Sequence, residues 1–179
     1  SSKNYCLMNS ELEILLPVYN EVKYLEKLLS GIHKSINKKI KYNFLICEDG
    51  STDGTKDLIK KLKKKYKIRL VTGKKRKGFS KAVQDGLKKA TSEYVLMMDS
   101  DGQCDFKKIL EFWKYRKDYD SINAFRIRRK DFAYRRVFSS VCYFIYNILF
   151  QVPLKDPSFT FIMVKKKVYK SLNNYNQEL

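Results

Sequence analysis

Two carboxylates one residue apart, Asp99 and Asp101, follow the apolar run Val95 to Met98 and lead into Gly102 and Gln103. Such a run reads as the interior of a strand, and Gly102 permits a tight turn just beyond it. Alternation along an extended chain lets the two carboxylates leave the strand end within reach of one another. Two carboxylates and an amide oxygen form a donor set for a hard divalent cation. On a chain this rich in Lys and Arg, they point to a cation bridging to a phosphate-bearing ligand. A polar strand-to-helix loop is the plainer reading of the same residues, since Asp and Gly are ordinary turn formers.

A calcium-binding helix–loop–helix is excluded by spacing. Counted from Asp99, Cys104 stands where that loop needs Gly and Leu110 where it needs a bidentate Glu. The segment from Asp49 to Gly54 has its Gly in place but puts Lys60 at the last ligand position.

The acidic pair needs a scaffold, and the rest of the chain reads as one. Leu12 to Val18 is an apolar strand that ends in a turn at Tyr19-Asn20, and Glu21 to Lys34 carries apolar residues at helical spacing. Asn43 to Cys47 is a second strand, followed by the loop Glu48-Asp49-Gly50-Ser51. A helix with Leu58, Ile59 and Leu62 on its apolar stripe follows, with Ser51 or Thr52 available as its cap. Ile68 to Thr72, a basic loop from Gly73 to Gly78, a helix from Ser80 to Ala90 and a strand from Tyr94 to Met98 complete the alternation. Strands and helices in this rhythm predict an α/β fold with a largely parallel sheet and helices on both faces. In such sheets ligands gather beyond the carboxyl ends of the strands, at a switch in strand order. Three polar loops, at Tyr19-Asn20-Glu21, Glu48-Asp49-Gly50 and Asp99-Ser100-Asp101, all follow strands and therefore converge on one edge.

Further along, Asp105 to Lys117 reads as a helix, Ser121 to Phe125 as a strand, and Phe159 to Val164 as another. Between the last two lie a stretch rich in arginine, Arg126 to Arg136, and the apolar, aromatic segment Val137 to Phe150. That segment is too short and too polar to span a bilayer comfortably. It suits either a membrane–water interface or a buried helix.

A chain of 179 residues fits a single domain with a real core. Its 38 Lys and Arg against 19 Asp and Glu leave a formal charge of +19, which favours polyanionic or phosphorylated partners. The lysines from Lys60 to Lys67 read as the solvated face of a helix. Four scattered cysteines with no Cys-x-x-Cys spacing, and a single histidine, His33, argue against zinc or a disulfide framework and suit a reducing compartment. Residues Ser1 to Glu13 lack the apolar core of a signal peptide.

Taken together, several segments resemble the family 2 glycosyltransferases of the GT-A fold, and within them the polyprenyl-phosphate sugar transferases. They are Leu16-Pro17-Val18-Tyr19-Asn20-Glu21, Glu48 to Thr55, Lys77 to Ala82 with Gly86, Asp99 to Gln103, the arginine segment with Arg126, Arg128, Asp131, Arg135, Ser139 and Asn147, and the turn Lys155 to Phe161. The likeness runs in order from about Leu12 to Leu172. Thr160 stands where the family usually has Gly, and Glu48 where it more often has Asp.

The resemblance implies an inverting, metal-dependent transfer of a sugar from a GDP- or UDP-linked donor to an acceptor, in the nearest look-alikes a polyprenyl phosphate. It implies Mg2+ or Mn2+ held by Asp99, Asp101 and Gln103. The nucleotide sugar would meet Pro17, Tyr19, Glu21, Cys47, Asp49, Asp99, Ser100 and Arg126. Asp101, Arg126, Arg135 and Asp156 would act at the reacting centre, with Arg126 on the diphosphate and Arg135 on an acceptor phosphate. Residues 12–125 would form the nucleotide- and metal-binding half, and residues 126–179 the acceptor and membrane-proximal half.

A cytoplasmic protein, peripheral on an anionic membrane surface, is the matching expectation. So is slow transfer by residues 1–179 alone, with a further segment or a partner closing the site. A nucleic-acid-binding module is the rival from net charge, but the lysines lie mainly on helices and the acids gather after strands. A transfer to a non-lipid glycan also stays open. A nucleotidyltransferase is disfavoured because no Gly-rich pyrophosphate loop lies near the N-terminus.

Overall fold

The computed structural model describes residues 10–73, 75–100, 105–124 and 160–175, the last four by their backbone alone. Its elements in chain order are β1 (Leu12–Val18), α1 (Leu25–Ile36), β2 (Tyr42–Glu48), α2 (Thr55–Leu62), β3 (Ile68–Thr72), α3 (Phe79–Lys89), β4 (Tyr94–Met98), α4 (Lys107–Tyr115), β5 (Ser121–Asn123), β6 (Phe161–Lys165) and α5 (Lys166–Tyr175).

All seven residues of β1 are buried, as a strand covered on both faces requires. Alternation sorts them. Leu12, Ile14, Leu16 and Val18 face a core built with α1, α2 and α4, while Leu15 faces a smaller core with Ala82 and Leu87 of α3 and Tyr169 of α5. Each fully buried Leu or Ile contributes roughly 1.5–3 kcal/mol relative to exposure. On the second face α3 approaches the sheet closely at Gly86. A Cβ there would fall 2.5 Å from Cys47 Sγ and 2.8 Å from a methyl of Leu15, so only a bare Cα fits without a shift.

The six strands lie in the order β3-β2-β1-β4-β6-β5. Strands β1 to β4 are mutually parallel, as the alternation of elements predicts, and β6 runs antiparallel between β4 and β5. The chain moves outward from β1 to β2 and β3, then returns to place β4 on the other side of β1. That is the switch point, and there the strands part. β1 pairs with β2 as far as Val18↔Glu48 but with β4 only as far as Leu15↔Met97. Pro17, which has no N–H to donate, falls in the stretch where β1 has left β4.

The amino ends of the parallel strands are tied by one buried carboxylate. Glu13 is fully buried on β1. Its Oε1 accepts from Arg69 at the start of β3 and from Asn43 Nδ2 at the start of β2 at 3.3 Å. Its Oε2 accepts from the backbone N–H groups of Thr91 (2.7 Å) and Ser92 (3.0 Å), just before β4. Tyr169 of α5, also fully buried, donates its hydroxyl to the Ser92 carbonyl. Burial is the main reason its phenol is pushed up to about 12.

Most element ends shift by one or two residues from the sequence reading, and two differences have a visible cause. α1 begins at Leu25 rather than Glu21, because residues 20–22 hydrogen-bond to the loop after β2 and to Thr55 at the start of α2. Neither Ser51 nor Thr52 caps α2. Gly54, in the left-handed region at φ 91°, occupies the cap position, and the Asp53 carboxylate accepts from the Thr55 N–H at 3.0 Å.

Removing one member of a buried ion pair strands the other, at a cost of about 3–5 kcal/mol. Glu13→Ala should therefore lower the urea midpoint strongly. Asp57→Ala, which breaks the exposed Lys60–Asp57 pair, should leave it unchanged. Equal midpoints for the two variants would contradict the role given to Glu13.

Candidate functional site

The carboxyl edge of the sheet carries the loops that the sequence singles out. Tyr19 and Asn20 follow β1, Asp49 to Asp53 follow β2, Lys75 to Gly78 lie between β3 and α3, and Asp99 and Ser100 follow β4. These loops are braced against one another by side chains accepting from backbone. Asn20, at φ 56°, donates its N–H to Ser51 Oγ at 3.0 Å, and its own Oδ1 accepts from the Thr52 N–H at 2.9 Å. Glu21 N–H donates to Thr55 Oγ1 at 2.9 Å, and Val22 N–H to Asp53 Oδ2 at 3.2 Å. Burial raises the Asp53 carboxyl, but the hydrogen bonds from Thr55 and Val22 outweigh it and hold the group below the usual carboxylate range. Glu48, buried at the end of β2, accepts from the Ser51 N–H through Oε1. Its Oε2 has no hydrogen-bond partner among the described residues, and the Lys56 ammonium stands 4.0 Å away.

Asp49 ties in a third loop. Its two oxygens accept from the Lys77 N–H at 2.7 Å and the Gly78 N–H at 2.8 Å, so one buried carboxylate docks the basic loop onto the end of β2. Gly50 makes the docking possible. It sits at φ 78°, and a Cβ there would lie 2.8 Å from Arg76 N. Within that loop Lys77 Nζ pairs with Asp85 at 2.8 Å, and this hydrogen bond is the leading reason the Asp85 carboxyl titrates below its ordinary range. Arg76 instead places its guanidinium carbon 4.1 Å from the centre of the Tyr19 ring.

The structure thus gathers Pro17, Tyr19, Glu21, Cys47, Asp49, Asp99 and Ser100 on the loops and strand ends of one edge. Pro17 is buried in β1, Tyr19 is half-buried, and Asp49 has a structural task beside any ligand contact. Cys47 faces α3 in the smaller core, and burial above all pushes its thiol up to about 12. The Asp99 N–H donates to the Thr160 carbonyl at 3.3 Å, anchoring the half-buried start of the acidic loop to the residue before β6. Asp101, Gln103, Arg126, Arg135 and Asp156 lie outside the described residues, as do the arginine segment from Arg128 to Arg136 and the aromatic segment 137–150. Among the described residues no three His, Cys, Asp or Glu side chains cluster as a metal site. Asp99, a hard oxygen donor at the strand end, fits a divalent cation as one ligand of a set. No described helix is long and apolar enough to cross a membrane.

Sequence reasoning missed Arg76, which is one of several neighbouring basic residues, and Glu13, a lone charge inside an apolar run. The signal for Glu13 was available: an acid in β1 and an Arg in β3, each interrupting a strand. A cavity of about 530 Å³ lined by His33, Tyr42 and Tyr66 lies at the opposite, amino-terminal edge of the sheet and has no part in this site.

A sheet with this strand order, opening between β1 and β4 beside Asp99, is of the GT-A type. The sequence profile of glycosyl transferase family 2 matches residues 13–172, and the chain belongs to that family. It is 30% identical over 168 residues to the putative glycosyltransferase CsbB of Bacillus subtilis (strain 168), covering 90% of this chain and 50% of that protein. It is 32% identical over 93 residues to the dolichol-phosphate mannosyltransferase of Pyrococcus furiosus, covering 52% of this chain and 26% of that one. Among solved structures, the mannosyltransferase PcManGT from Pyrobaculum calidifontis, in complex with GDP-Man and Mn2+, superposes with a TM-score of 0.67 at 20% identity, over 93% of this chain and 47% of that one. The chain spans half or less of the length of these three proteins.

Asp49→Asn keeps the volume of the side chain but offers the loop an amide N–H where an acceptor stood. The Lys77 and Gly78 amides should then exchange with solvent deuterium at least about tenfold faster, about 1.4 kcal/mol of lost protection. Unchanged exchange at both would refute the docking role.

Proposed function

We propose that this chain is the catalytic part of an inverting glycosyltransferase that moves a sugar from a GDP- or UDP-linked donor to a polyprenyl phosphate at a membrane surface. The observation that carries the reading is the parting of β1 from β4, with the nucleotide loops on one side and Asp99 on the other. Family membership supports the reaction class, and the name of the Pyrococcus furiosus relative supports the acceptor class.

In this reading the nucleoside lies along Pro17, Tyr19 and Asp49, which places the diphosphate toward the acidic loop. Asp99, with Asp101 and Gln103, would hold Mg2+ or Mn2+. That ion, when bound, neutralises the diphosphate and eases its departure. Arg126 would pair with the diphosphate and Arg135 with the acceptor phosphate. An oxygen of the acceptor phosphate forms the new bond to the anomeric carbon on the face opposite the leaving group. The old carbon–oxygen bond breaks, and its electron pair leaves with the nucleoside diphosphate. Negative charge grows on that departing group, so cationic groups fixed beside it stabilise the transition state more than the ground state. A phosphate acceptor is already ionised at neutral pH and needs little help from a base. Asp156 would orient the acceptor side.

Calorimetric titration of the chain with GDP and UDP, with and without Mn2+, tests the reading. Affinity should be strongly metal-dependent in wild type and insensitive to metal in Asp101→Ala, whereas tighter binding to oligonucleotides than to either diphosphate would favour the nucleic-acid reading. Membrane docking is tested separately. Each exposed basic residue near an anionic surface is worth about 1 kcal/mol, so binding to phosphatidylserine vesicles should weaken with salt and with Arg128→Glu/Arg129→Glu. Binding that ignores both would remove the membrane from the proposal.

A further inference from the structure

We propose that Arg76 is a nucleobase-contacting residue, presenting its guanidinium as a platform between the ring of Tyr19 and the base of the bound nucleotide. The inference rests on the glycosyltransferase reading and refines it, because it changes what touches the base. Arg76 is constrained at both ends. Its backbone is held by the Asp49 hydrogen bonds to the next two residues and by close passage over the bare Cα of Gly50. Its guanidinium lies over Tyr19, 4.1 Å from the ring centre. Tyr19 therefore meets a ligand on that face only through the guanidinium.

Charge pairing separates Arg76 from its neighbour. Lys77 is neutralised by Asp85, whereas no carboxylate among the described residues lies within ion-pair distance of Arg76. The side chain is exposed, so the guanidinium is open to solvent while it rests on the Tyr19 ring. A planar, weakly hydrated cation resting on an aromatic ring, with a free outer surface at the mouth of a nucleotide crevice, suits a π-faced ligand. A nucleobase is such a ligand, and stacking against it tolerates either a purine or a pyrimidine. A lysine in the same place would keep the charge and lose the plane.

Tyr19 becomes a positioning residue, acting through Arg76, and this yields a test that a purely structural role would not pass. Binding of GDP, UDP and the uncharged nucleosides guanosine and uridine is followed by NMR titration for wild type, Arg76→Ala, Arg76→Lys, Tyr19→Ala, the double variant Tyr19→Ala/Arg76→Ala and the neighbouring control Lys75→Ala. The expected result is a loss of about tenfold in Arg76→Ala, similar for nucleosides and diphosphates, as removal of a base-stacking partner gives. Arg76→Lys should not restore it, and Lys75→Ala should bind as wild type does. The double variant should be no weaker than Arg76→Ala. A loss confined to the diphosphates would assign Arg76 to phosphate and overturn the inference, as would additive losses from Tyr19 and Arg76 or wild-type affinity in Arg76→Ala. Wild type that binds none of the four probes would overturn the glycosyltransferase reading itself.

Discussion

A carboxylate with no exposed surface sits at the root of this fold. Glu13 engages the second residues of β2 and β3 and the turn before β4 with four hydrogen bonds, two to each oxygen. A buried charge is tolerable only when its lone pairs are met this fully. The geometry has a directional effect. Parallel strands share one amino edge, and the amino edge is where Glu13 works. The carboxyl edge is left to diverge, and β1 and β4 separate there after Leu15. Rigidity at one end of the sheet is thus what lets the other end open without loss of register.

At the open end the chain repeats the same device on a smaller scale. Asp49 holds the loop before α3, Glu48 and Ser51 shape the turn after β2, and Asn20 joins that turn to the end of β1. Each bond uses a short polar side chain to satisfy backbone that no ladder reaches. The arrangement places the groups proposed to face the nucleotide on loops whose backbones are already hydrogen-bonded, so little ordering remains to oppose binding. Among the described residues, Glu48 Oε2 is the one buried side-chain oxygen or nitrogen left without a hydrogen bond, with only the Lys56 ammonium 4.0 Å away.

Most of this scaffold is legible in the sequence because burial writes it there. β4 is an unbroken apolar run and β1 is broken only by Glu13, while α1, α2 and α3 carry apolar residues at helical spacing, so element type and order follow from periodicity. The failures occur where a residue has two possible partners. Glu21 looks helical, yet its N–H is drawn to Thr55; Ser51 looks like a cap, yet it serves Asn20. Strand direction leaves no mark on periodicity, which is why the antiparallel β6 could not be read from Phe161 to Lys165. Convergence of the three loops was legible, because every one follows a parallel strand. The bridge from Asp49 to the basic loop was not, since it depends on backbone N–H groups that every residue type but proline supplies.

The place of β6 bears on how the molecule comes into being. Among the described residues β5 pairs only with β6, and β6 is the sole neighbour on the outer edge of β4. During synthesis, β1 to β4 emerge from the ribosome as a parallel sheet whose outermost apolar strand lacks its flank. About 60 residues separate Met98 from Phe161, and at ribosomal speeds of roughly 5–20 residues per second that edge stays open for several seconds. An unpaired apolar strand is a template for foreign strands during that interval. Truncation before Phe161 would make the interval permanent.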